Sequence, residues 1–92
     1  MSAHALLLKY IRNSEQVFAE IQFKRGIGDQ NQHKVNEVIE YAKRYLSDAK
    51  FYGEKQQYET GLVSVAYCEG MLDALRLLDL VEFTWSNREK KQ

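Results

Sequence analysis

Three carboxylates, Asp48, Glu69 and Asp73, are the side chains whose type and spacing come closest to a chemical site. Paired carboxylates in unequal surroundings can divide acid and base roles, and here they would face the hydroxyls of Tyr41 and Tyr45 if their segments are neighbouring helices. The same residues have a plainer use. Arg44 stands four before Asp48 and Arg76 three after Asp73, the spacings of ion pairs along one helix, and a tyrosine hydroxyl reaching Asp73 would be an ordinary structural hydrogen bond. Tyr45, Asp48, Tyr67, Glu69 and Asp73 therefore form a candidate polar cluster, with no residue assigned as catalytic.

Other chemistries find fewer residues. His33, Glu37 and Glu40 share one side of a helix but lack a second histidine to complete a metal site. Cys68, the one cysteine, has no identifiable base, and it reads as a small buried apolar residue. Gly26 and Gly28 precede a helix without the strand and Lys-Ser/Thr ending of a phosphate loop. No metal and no cofactor is expected. Thirteen basic and thirteen acidic residues cancel, which argues against bulk binding of nucleic acid or anionic lipid. Between Tyr58 and Phe83 five acids face Arg76 alone, a surface that repels phosphates. Lys43, Arg44 and Lys50 are left as a candidate anion patch, with Arg88, Lys90 and Lys91 near the C-terminus.

These residues need elements to hold them. The chain has no proline, and apolar residues at Leu7, Tyr10, Ile11, Val17, Phe18 and Ile21 follow a helical period, predicting a first helix over 3–25 that ends on Lys24, Arg25 and a terminating Gly26. Asp29 and Gln32 resemble a starting pair for a second helix over 31–54, whose stripe runs from Val35 through Ala42, Leu46 and Ala49 to Tyr52, with Glu40 and Arg44 paired outside. A polar break at 53–57 leads into a third helix over 58–79. Residues 80–92 are expected as a tail whose aromatic part reads as an extended stretch or a frayed last turn lying across the bundle. The fold class is thus all-α: one domain, 1–92, an up-down-up antiparallel three-helix bundle with a short C-terminal extended tail.

Ala66, Gly70 and Ala74, spaced by four, are expected to meet Ala42 and Ala49 where the second and third helices approach closely. Leu6, Leu8, Phe23, Met71 and Leu77 lie off the main stripes, more apolar surface than a minimal core needs. Leu6, Leu8, Met71 and Leu77 are the candidate interaction surface. The leading apolar run, Ala5 to Leu8, is shorter than the roughly 7 to 15 residues of a signal-peptide core, so a cytoplasmic protein is expected, with no membrane partner.

The segments YAKRYLSDAKFY at 41–52 and YETGLVSVAYCEGMLDALRLLDL at 58–80 resemble a small, mostly archaeal family, domain of unknown function 357. The resemblance rests on Tyr45, Asp48 and Ala49 in one block and on Tyr67, Gly70, Leu72, Asp73 and Ala74 in the next. It implies a three-helix bundle, an archaeal cytosolic source and no assigned activity, and similar segments look like appendages to longer nucleotidyltransferase-like proteins. The sequence departs from the family pattern at Gln56 and Asp79, where the family tends to have glycine, and at Cys68, where it has alanine. The leading expectation is a non-enzymatic module that binds a protein partner or forms a homo-oligomer. The alternative is an accessory nucleotide- or nucleic-acid-binding domain of a nucleotidyltransferase-like protein, using Lys43, Arg44 and Lys50.

Overall fold

The computed structural model describes residues 1–85. Three helices carry the chain: α1 (Ala3–Glu20), α2 (Asp29–Glu54) and α3 (Tyr58–Leu77). Two short strands, β1 (Gln22–Phe23) and β2 (Val81–Glu82), pair antiparallel, with Gln22 opposite Glu82 and Phe23 opposite Val81. The chain is an all-α three-helix bundle closed by this small ribbon.

Each helix boundary has a local cause. Ser2 caps α1, its hydroxyl accepting from the Ala5 amide at 3.0 Å. The helix stops at Glu20, not at the expected Arg25, because Ile21 turns extended at ψ 134° and delivers Gln22 and Phe23 to the ribbon. Lys24 consequently serves no helix terminus. Its ammonium pairs with Asp79 at 3.5 Å and Glu82 at 3.4 Å, and these carboxylates, Asp79 first, raise its pKa. Gly26 and Gly28 hold positive φ values of 85° and 88° in the turn that follows. Gly28 is the N-cap of α2, which begins at Asp29, two residues before the expected start; the side chain of Asn31 steadies the turn by donating to the Ile27 carbonyl at 2.8 Å.

α2 and α3 end in the same way. At the α2 terminus the Gln57 amide donates to the Tyr52 carbonyl at 2.9 Å and the Gln56 amide to the Gly53 carbonyl at 3.1 Å; at the α3 terminus Leu80 donates to Leu75 and Asp79 to Arg76, both at 3.0 Å. These are paired six-to-one and five-to-two bonds of the Schellman motif, which requires a left-handed residue just past the helix. Gln56 at φ 63° and Asp79 at φ 65° occupy those places. α3 therefore ends at Leu77, and the residues to Asp79 form its cap.

The main core draws Leu7, Ile11 and Val17 from α1, Ala42, Leu46 and Ala49 from α2, and Val65, Cys68 and Leu72 from α3. Val35, Ile39, Leu75 and Val81 form a second cluster beneath the ribbon. α2 and α3 pack along most of their length, whereas α1 lies more against α3 than against α2. The three helices converge at Gly61, where an added Cβ would sit 2.8 Å from Leu7 Cδ2 and 3.2 Å from the Ala49 carbonyl oxygen. Gly61, not Gly70, is the close-approach glycine.

The segment after α3 lies on its own bundle. Val81 is buried, Phe83 packs edge-on to Trp85 with ring centroids 5.2 Å apart, and Trp85 is 7% exposed within the main core. The remainder of the expected tail, 86–92, including Arg88, Lys90 and Lys91, lies outside the described residues.

Candidate functional site

The polar cluster read from the sequence separates into two places. Tyr45 and Tyr67 stack across the α2–α3 hairpin with centroids 5.2 Å apart and planes 18° from parallel. Asp73 lies six residues beyond Tyr67 on α3, about 120° away around the helix axis at 3.6 residues per turn. Its carboxylate Oδ1 accepts from the Trp85 indole at 2.5 Å and from Arg76 at 3.3 Å. The hydrogen bond expected from a tyrosine thus comes from the tryptophan of the closing segment. Asp48 is exposed on α2, and Glu69 is half-buried on α3. Asp73 thereby anchors the segment that follows α3.

Cys68 is fully buried, and burial pushes its thiol up to about 11, so it stays protonated and unreactive near neutrality. The nearby Ser14 hydroxyl, also buried, exerts a smaller opposing pull. His33 meets Glu37 at 3.4 Å in an exposed pair, and among the described residues no group of three or more His, Cys, Asp or Glu could hold a metal ion.

The three basic residues of the candidate anion patch have local partners. Lys43 pairs with Glu40 at 3.6 Å and lies 5.9 Å from the Phe18 ring centre, and Lys50 pairs with Glu15 of α1. Arg44 lies over the Tyr41 ring at 5.0 Å, not beside Glu40 or Asp48 as the spacing suggests. Neighbouring acids thus offset two of these three charges.

The apolar surplus is where the structure departs most from the expected face. Leu77 is 74% exposed and Leu8 is exposed, but Leu6 and Met71 are half-buried, Met71 packing against the main core. Ala66, Gly70 and Ala74 do not meet α2. They face outward, and with Val63, Tyr67 and Met71 they line a shallow apolar trough along α3. Val63 is 59% and Tyr67 58% exposed, and nothing lies within 4 Å of where a Gly70 Cβ would be. The cause is legible afterward: α3 is apolar on two sides, and the buried one uses Gly61, Ser64, Val65, Cys68, Leu72 and Leu75. Val63 lies outside the expected interaction surface, Leu78, expected on the apolar stripe of the third helix, is 67% exposed, and the small residues lie on the side opposite to the one expected.

A family model described as a protein of unknown function, DUF357, matches residues 9–81, which take in almost all of the bundle and the first residue of β2. The chain belongs to the DUF357 family. Gln56 and Asp79, the two places where the resemblance leads to an expectation of glycine, both hold left-handed backbone, the conformation that glycine enters without cost. The DUF357 match stops four residues short of Trp85. No curated protein and no solved structure matches the chain. Among the described residues of this DUF357 chain, no helix is long and apolar enough to cross a membrane.

Proposed function

We propose that this chain is a non-enzymatic interaction module of the cytoplasm, a bundle whose third helix binds a protein through its outward face. The observation that carries the reading is the open trough of α3, where Val63, Tyr67 and Leu77 are each more than half exposed along a single helix whose opposite side is already buried. Contiguous apolar surface of this kind marks association sites. The closing segment ends at Asp73 and the core, so it supplies no cover for this face up to Trp85. The nucleotide-binding alternative gains no comparable support, because Lys43 and Lys50 are engaged by Glu40 and Glu15.

The test is the mass of the protein by light scattering across a dilution series, together with recovery of partners from the native source, using the natural chain and the variants Leu77→Lys and Val63→Lys. Both substitutions sit at exposed positions and should leave the helical circular dichroism intact. The expected result is an assembly, with itself or with another protein, that both variants weaken at least tenfold. Association indifferent to both substitutions, or none at all, overturns the reading.

A further inference from the structure

The segment that closes the bundle is joined to it by a tight turn. α3 ends at Leu77, Leu78 and Asp79 form its cap, and from Leu80 the chain runs back along β1 to seat Trp85 in the main core. The contacts that hold the segment come from other parts of the bundle: the Lys24 amide donates to the Leu80 carbonyl at 3.0 Å, Gln22 and Phe23 pair with Glu82 and Val81, and Asp73 accepts from the Trp85 indole at 2.5 Å. None of them requires the segment and its seat to belong to the same chain. The turn between the two is strained. Asp79 holds φ 65°, and a short connection under strain is the setting in which a segment crosses to a second copy. The residues before the turn suit such a crossing. Leu77 is 74% and Leu78 67% exposed, large apolar side chains at the place where two crossing chains would meet.

We propose that two copies of this chain exchange their closing segments, each inserting its Val81 and Trp85 into the core of the other. The seat keeps its contacts in the exchange, and Asp79 leaves its left-handed conformation in both copies, which favours the open form. Two-fold symmetry sets the two hinges side by side, so Leu77 and Leu78 of each copy are covered by the hinge of the other. The occupant of each seat is thus the partner's own segment, and each core is incomplete without the partner's Trp85. This interface is separate from the trough of α3 and does not rest on the reading of that face.

The experiment uses the full chain with a reporter across the ribbon. Gln22→Cys with Glu82→Cys places cysteines at directly opposed residues, whose Cα separation of roughly 5.5 Å suits a disulfide, while Cys68 stays buried. The protein is refolded from urea at low and at high concentration, separated by size, oxidised, and run on a denaturing gel without reductant. The monomer fraction should run as a monomer and the dimer fraction as a covalent dimer, since only an exchanged segment puts the opposed cysteines on different chains. In the chain without added cysteines, Asp79→Gly should weaken the dimer roughly tenfold by light scattering, because both closed turns lose their strain and the exposed ion pair given up is weak. Gln56→Gly relaxes a turn that the exchange leaves in place, and it should not change the dimer. Val63→Lys, on the trough of α3, should not change it either. A dimer whose chains separate on the gel, or one that Val63→Lys dissociates, overturns the exchange and assigns the contact to the trough. A monomer at every concentration, or a dimer that Asp79→Gly leaves unchanged, also overturns it.

Discussion

Gln56 and Asp79 each hold a left-handed backbone that an L side chain enters at a cost of roughly 1 to 2 kcal/mol. A glycine removes that cost and gives back part of the gain through the greater freedom of the unfolded chain. Gln56→Gly, at an exposed position, should therefore stabilise the protein by about 0.5 to 1 kcal/mol, read as a rise of a few degrees in melting temperature. Asp79→Gly relieves the same strain but removes a carboxylate from Lys24, so its gain should be the smaller of the two. A fall in stability for Gln56→Gly would show that the glutamine stabilises its turn in some further way. Both positions were legible in the sequence only as departures from a family pattern, because a left-handed turn leaves no periodic trace when glycine is missing.

The two glycines of α3 make opposite demands on the helix that carries them. Gly61 sits where three helices meet, so Gly61→Ala forces its methyl group against Leu7 and the Ala49 carbonyl and should cost about 1 to 3 kcal/mol. Gly70 faces open space and carries only its poor helix propensity, so Gly70→Ala should stabilise by about 0.5 to 1 kcal/mol. Urea unfolding of the two variants beside the natural chain checks the pair, and similar losses in both would contradict the placement of Gly70 on the outer face. The elements themselves were well marked: the stripe from Val35 to Ala49 and the loop glycines define α2 almost to the residue. What periodicity could not decide was which apolar side of α3 turns inward, since Ala66, Gly70 and Ala74 repeat as regularly as Val65, Cys68 and Leu72. The early end of α1 was hidden for a different reason. Gln22 and Phe23 are drawn out of the helical period by partners at Glu82 and Val81, and no local pattern contains them.

At the scale of the molecule, the bundle is closed from its far end. Trp85 fills the main core and donates to Asp73, so Trp85→Ala should cost about 3 to 5 kcal/mol through the lost packing. Trp85→Phe keeps most of the ring and loses the donor, and about 2 kcal/mol is expected for a hydrogen bond to a charged acceptor. Circular dichroism in a denaturant series measures both; equal effects would mean that the hydrogen bond outweighs the packing. The alternating aromatic character of this segment marks it as extended but leaves open whether it packs on its own bundle, because its partner strand and its anchor on Asp73 depend on tertiary geometry. The ribbon that begins the segment joins Phe23 to Val81 and so encloses a loop of roughly 60 residues. Contacts between residues so distant along the chain form more slowly than helices or a helical hairpin. Assembly is accordingly expected to run from the α2–α3 hairpin outward, with the pairing of the two strands last. For that interval the young bundle must keep its shape with Gln22 and Phe23 still without their partners at Glu82 and Val81.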